Sequence, residues 1–176
     1  MCIFTNIFFG MRNYLLLFLI VLLSCKNKTT KQEAVVQKSD KNILQKHDVI
    51  LDLDKTSKAK ITNWKEYQNT SENLKFFANI SANEALNNAI LLSKNIKLLK
   101  DSIRPKDLIN SSFKTRINVL ENEALRLKDM TLISAITAQE VHEQVEKIIA
   151  AFSATNSKIN TIYSQLEVEQ NIDSIN

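Results

Sequence analysis

After Gly10 the chain contains no glycine, and its one proline is Pro105. Average usage over such a length would give roughly a dozen glycines and nine prolines. Sheets with tight hairpins need glycine or Asn-Gly turns, and loops that cradle phosphate need glycine for close backbone approach. This composition therefore points to an all-α chain and excludes nucleotide binding through any glycine-rich loop. At 176 residues the chain suits one ordinary domain.

From Ser57 onward the apolar period is helical. Phe113, Ile117, Leu120, Ala124, Leu127, Thr131, Ser134, Ala138, Val141, Val145, Ile148, Phe152, Thr155, Ile159, Ile162 and Leu166 step by four and three throughout, which is a heptad seam. Trp64, Tyr67, Ser71, Leu74, Ala78, Ala85, Ala89, Leu92, Ile96, Leu99 and Ile103 nearly repeat it. Pro105 forces a turn near Arg104. Ser81-Ala82-Asn83-Glu84 and Thr137-Ala138-Gln139-Glu140 fit the S/T-x-x-E capping box that starts a helix. Between helices, Thr131–Ile136 is a β-branched run apolar on more than one face, as a buried connection would be. The expected fold is an all-α antiparallel bundle of four helices, near 58–79, 82–103, 107–130 and 137–168. A hairpin of two long helices is the rival, supported by the uninterrupted heptads.

The net charge of +4 is mild and unevenly placed. Residues 26–60 hold nine lysines against five acids, whereas residues 61–176 hold thirteen Lys and Arg against fourteen acids. A nucleic-acid reader would carry its basic stripe on the folded surface, so no nucleic-acid partner is expected. Lysines beside an anionic membrane are the simpler reading.

Leu15–Leu23 is an unbroken apolar run preceded by Arg12 and followed by Ser24-Cys25. It is too short for a membrane span of about 20 residues. Extending it back to Ile3 would bury Arg12 at a cost of roughly 2.5–3.5 kcal/mol. A signal peptide fits better, with Met11-Arg12-Asn13 as its charged start and the natural initiation site.

Leu22-Leu23-Ser24-Cys25 resembles the lipobox of bacterial lipoproteins, with leucine at −3, a small residue at −1 and then cysteine. The −2 residue is usually smaller than Leu23. The resemblance, over roughly residues 11–28, implies alkylation of the Cys25 thiol by a diacylglyceryl group. It also implies cleavage between Ser24 and Cys25 by a type II signal peptidase. Cys2 would be discarded, leaving Cys25 without a disulfide partner. Two or three acyl chains hold a protein far more firmly than one. Lys26 stands where the family often has an inner-membrane aspartate, so the outer membrane is favoured within the bacterial cell envelope. The expected organisation is a signal peptide over 1–24, a lipidated Cys25 with a flexible tether over 25–56, and a bundle over 57–176. The stretches at 118–130 and 144–160 are similar to parts of small uncharacterised lipoproteins, some loosely labelled as viral A-type inclusion proteins; this implies no activity.

Residues 26–56 are rich in Lys, Gln, Asn, Asp and Thr and read as a solvated linker. Within them, Val49–Thr56 resembles the first motif of haloacid-dehalogenase-type phosphatases, which would make Asp52 nucleophile and Asp54 general acid. That family's site needs a parallel sheet, a later lysine and an acidic Gly-Asp motif, and none follows. The plainer reading is an extended stretch whose Val49, Ile50 and Leu51 dock on the bundle.

Other candidate chemistry is thin. His142-Glu143-Gln144-Val145-Glu146 has Glu where a zinc-protease helix needs its second His. Gln139 breaks the Glu-x-x-His pattern of di-iron bundles. His142 is therefore expected on a solvated face, and His47 in the tether without a partner. Glu121, Glu123, Glu140, Glu143 and Glu146 read as a wet face. Trp64 and Tyr67 read as closing one end of the core. No cofactor or metal is expected. The leading expectation is a non-enzymatic, lipid-anchored bundle that binds an envelope protein or acts as a spacer. The alternative is a bundle holding a small apolar molecule or lipid between its helices. An enzyme acting through Asp52 and Asp54 comes third.

Overall fold

The computed structural model describes residues 40–174; the lipobox and residues 26–39 lie outside them. The fold is an all-α bundle. In chain order it runs β1 (Leu44–Lys46), α1 (Lys55–Lys60), α2 (Lys65–Phe77), β2 (Asn79–Ser81), α3 (Ala82–Asp101), a 3-10 turn (Lys106–Leu108), α4 (Ser111–Met130) and α5 (Ala138–Asp173). Helices α3, α4 and α5 pack on one another, α2 flanks α3, and α1 lies on α5.

Side-chain caps set most helix starts. Ser81 with Glu84, and Thr137 with Glu140, form complete capping boxes at α3 and α5. Asn110 Oδ1 accepts from the Phe113 amide at 2.8 Å and starts α4. Asp54 Oδ1 accepts from the Ser57 amide at 2.7 Å and starts α1. Each such cap is worth about 1 kcal/mol, enough to decide where a marginal helix begins. The two boxes decide against the long hairpin: four main helices form.

The seam is buried over most of its helical length. Leu74, Ala85, Ala89, Leu92, Ile96, Phe113, Leu120, Ala124, Val145, Ile148 and Phe152 are all fully covered. A buried Leu, Ile or Phe contributes roughly 1.5–3 kcal/mol. Ala85 and Ala89 have no bulk to keep neighbours away, and α3 touches α2, α4 and α5.

Four expectations need correction. The helix expected over 58–79 is two: the chain turns at Ile61–Trp64, where the Trp64 amide donates to Ile61 O at 3.0 Å and both side chains are buried. The heptad register runs through segments that are not helical, so Ile103, Thr131 and Ser134 are exposed. The connection at 131–136 is not buried either; Leu132 and Ile133 face solvent and only Ile136 is covered. Finally, the part of the expected tether from residue 41 to 56 is fixed to the bundle. β1 pairs antiparallel with β2, Leu44 opposite Ser81 and Lys46 opposite Asn79. The Asn83 amide donates to Lys41 O and the His47 amide to Ala78 O, each at 2.9 Å. Asn79–Ser81 is extended because it joins two helices, which leaves its backbone groups open to a partner strand.

Candidate functional site

Residues 47–54 form a strap laid along α5. The Asp48 amide donates to Glu146 Oε2 at 3.3 Å, and the Leu51 amide to Ser153 Oγ at 3.1 Å. Asn156 Nδ2 donates to Leu51 O at 2.7 Å. Asn160 both accepts from the Asp54 amide and donates to Asp52 O. An extended chain rises about 3.3 Å per residue and a helix about 1.5 Å. The strap from His47 to Asp54 therefore covers about 23 Å, and α5 from Glu146 to Asn160 about 21 Å. That match lets polar side chains of one helix stripe satisfy the backbone of an unpaired strand. Of the residues expected to dock, Ile50 is partly buried while Val49 and Leu51 are exposed; Leu53 makes the deep contact.

At the head of the strap the chain's two histidines meet. His47 Nδ1 lies 2.7 Å from Glu146 Oε1, and His47 Nε2 lies 3.2 Å from His142 Nδ1. A carboxylate only accepts, so His47 Nδ1 carries a proton; the neutral ring then accepts at Nε2, and His142 donates from Nδ1. The rings are 5.1 Å apart and both residues are buried. These contacts overturn the expectations that His47 has no partner and that His142 is solvated. Burial pushes the His142 pKa below the usual imidazole range; a positive His47 pushes the same way, and Glu146 opposes both.

The acids read as a wet face are mostly engaged. Glu121 pairs with Lys100, Glu123 accepts from Gln144, Glu140 caps α5 and Glu146 holds His47. Glu143 is exposed and accepts from Gln139 at 2.9 Å. Beside the histidines an open cleft of about 720 Å³ is lined by Lys46, Gln139, His142, Glu143 and Glu146, among others. Glu146 sits at the edge of the His47 ring opposite His142, so the three groups do not converge on one point. Among the described residues no group of three or more His, Cys, Asp or Glu is placed to hold a metal ion.

Trp64 and Tyr67 are buried in an aromatic stack. Trp64 stacks on Tyr67, and Tyr67 on Phe152, at centroid distances of 5.8 and 5.7 Å. Trp64 Nε1 donates to Ser102 Oγ at 2.8 Å. The Tyr67 hydroxyl donates to Asn156 Oδ1 at 2.9 Å, and burial holds its pKa far above the usual phenol value. Asn156 thus ties the aromatic stack to the strap.

Asp54 caps α1, and Asp52 is exposed, 3.7 Å from Lys58 Nζ. The sheet among the described residues is β1–β2, antiparallel and two-stranded, not the parallel sheet the phosphatase motif works on. Ser24 and Cys25 lie outside the described residues. On the far side of the bundle, α2 and α3 form a groove lined by Asn69, Asn73, Phe76, Leu91 and Asn95, among others. Phe76 and Leu91 are about half exposed there.

The sequence reading expected residues 49–51 to dock but missed the polar anchors on α5. A signal existed: His142, Glu146, Ser153, Asn156 and Asn160 recur at spacings of three, four and seven on α5, a polar stripe beside the apolar one. No family model, curated protein or solved structure matches the chain.

Proposed function

We propose that the protein is a lipid-anchored lipoprotein of the bacterial cell envelope whose helical bundle is a non-enzymatic interaction module. The carrying observation is Leu22-Leu23-Ser24-Cys25 behind a short apolar run with a charged start. No helix among the described residues is long and apolar enough to cross a membrane, so a lipid on Cys25 would supply the membrane attachment. From Cys25 to Lys41, where the bundle first holds the backbone, there are sixteen residues. Whatever their path, they reach at most about 55 Å, roughly half of what a free tether to residue 56 would allow.

The α2–α3 face favours interaction over a spacer role. A spacer needs only solvation, yet Phe76 and Leu91 stand half-exposed together in the α2–α3 groove, as on surfaces that meet a protein. The test of the anchor is Cys25→Ser. The variant should stay helical, incorporate no labelled palmitate and migrate as a larger, uncleaved chain. A variant that is processed and labelled like the natural protein would overturn the proposal.

A further inference from the structure

We infer that the Glu146–His47–His142 chain is a proton-operated clasp that holds the head of the strap on α5 and lets go when both imidazoles are charged. The count of hydrogens between the rings decides whether the clasp holds. With both rings neutral, His142 donates to His47 and His47 to Glu146. With one added proton the chain still works: His47 carries both hydrogens, and His142 shifts its own to Nε2 and accepts at Nδ1. With two added protons, both nitrogens of the 3.2 Å contact carry hydrogen. The bond is then lost, and two cations face each other at 5.1 Å between ring centres.

The surrounding charges do not rescue the pair once both rings are charged. From α5, Glu146 and Glu143 line the clefts beside the clasp, and from the strap side Asp40, Lys46, Asp48 and Asp52. From α2, Lys75 lines the neighbouring cleft. Only Glu146 touches an imidazole nitrogen, and it touches His47. His142, held below the usual imidazole range, takes the second proton late. An ordinary histidine titrates near about 6.5. A group whose folded pKa is depressed weakens the closed form as pH falls through that unfolded value, so opening belongs to the acid side of about 6.5.

What opens is local. Past the clasp, Ser153, Asn156 and Asn160 still hold residues 51–54. Before it, β1–β2 is a three-residue pair whose β1 side chains are all exposed, too short to stand unaided. Release therefore frees the chain as far as Ile50. Given the Cys25 anchor, which is a separate proposal, the tether's maximum reach rises from about 55 Å to about 90 Å.

The test is amide hydrogen exchange by NMR on the full chain, corrected for intrinsic rates, at pH 7.5 and pH 5. The His47 and Asn83 amides, which hold this segment, should lose at least tenfold in protection on acidification, while Leu51 and the interior of α4 change less than threefold. His142→Gln offers a donor that does not titrate and should flatten the drop to under threefold. Should that variant not fold, the wild-type imidazole resonances decide: two separated steps, with protection lost at the lower one. Equal protection at both pH values, an undiminished drop in His142→Gln, or two histidines titrating together without loss of protection would overturn the clasp.

Discussion

Asn156→Ala should cost about 2–3 kcal/mol, and its partners show why. Asn156 is 2% exposed and makes two bonds, accepting from the Tyr67 hydroxyl and donating to the Leu51 carbonyl. The two losses are unequal. Leu51 is about half exposed, so water replaces the amide there at little cost. Tyr67 is 4% exposed and stacked between Trp64 and Phe152, so its hydroxyl loses a buried partner. Stranding a buried donor costs about 1–3 kcal/mol, and the shortened side chain adds a small void. A domain of this size has about 5–15 kcal/mol in all. Urea denaturation reads the change as a lower midpoint at unchanged slope. Tyr67→Phe alone strands the Asn156 oxygen instead. With both substitutions nothing is stranded, so the double variant should be more stable than additivity predicts by about 1 kcal/mol or more. A cost under about 0.5 kcal/mol, or strict additivity, would refute the link between strap and aromatic core.

Ile148→Asp buries a charge at a fully covered position of α5 and should cost several kcal/mol, leaving little cooperative melting by circular dichroism; an unchanged melting curve would mean that the seam is not the core. Ser81→Ala removes the hydroxyl of the α3 capping box and should cost about 1 kcal/mol at pH 7. The Ser81 hydroxyl, then its amide, hold Glu84 below the usual carboxylate range. That contribution is present above the ordinary glutamate value and lost as pH falls through the lowered one, so the penalty measured by urea denaturation should shrink at pH 3. A penalty equal at both pH values would contradict the capping account.

The bundle was legible because its signals are local. Ser81 and Thr137 name their own partners three residues ahead, and both boxes formed. The seam was legible wherever a helix carried it. It misled at Thr131 and Ser134, because a spacing of three and four costs a loop nothing and the caps at Asn110 and Thr137 decide where helices start. The polar anchors of the strap were hidden for a different reason. The strap's hold on the bundle lies in polar pairs about a hundred residues apart, such as His47 with Glu146 and Leu51 with Asn156. Neither partner signals the other in sequence, and the strap's backbone groups find partners only once the polar side chains of α5 are in place. His142 was judged against metal motifs, although its partner was the other histidine.

The mass of the mature protein tests the central claim most directly. Intact and peptide mass spectrometry of the chain isolated from its own membranes should show an N-terminus at Cys25. Its mass should exceed the sequence mass by a diacylglyceryl thioether, with or without a further acyl group on the new amine. A mature chain that begins at an unmodified residue, or that keeps Leu22-Leu23-Ser24 ahead of a free Cys25 thiol, would contradict the lipoprotein reading and the envelope location with it.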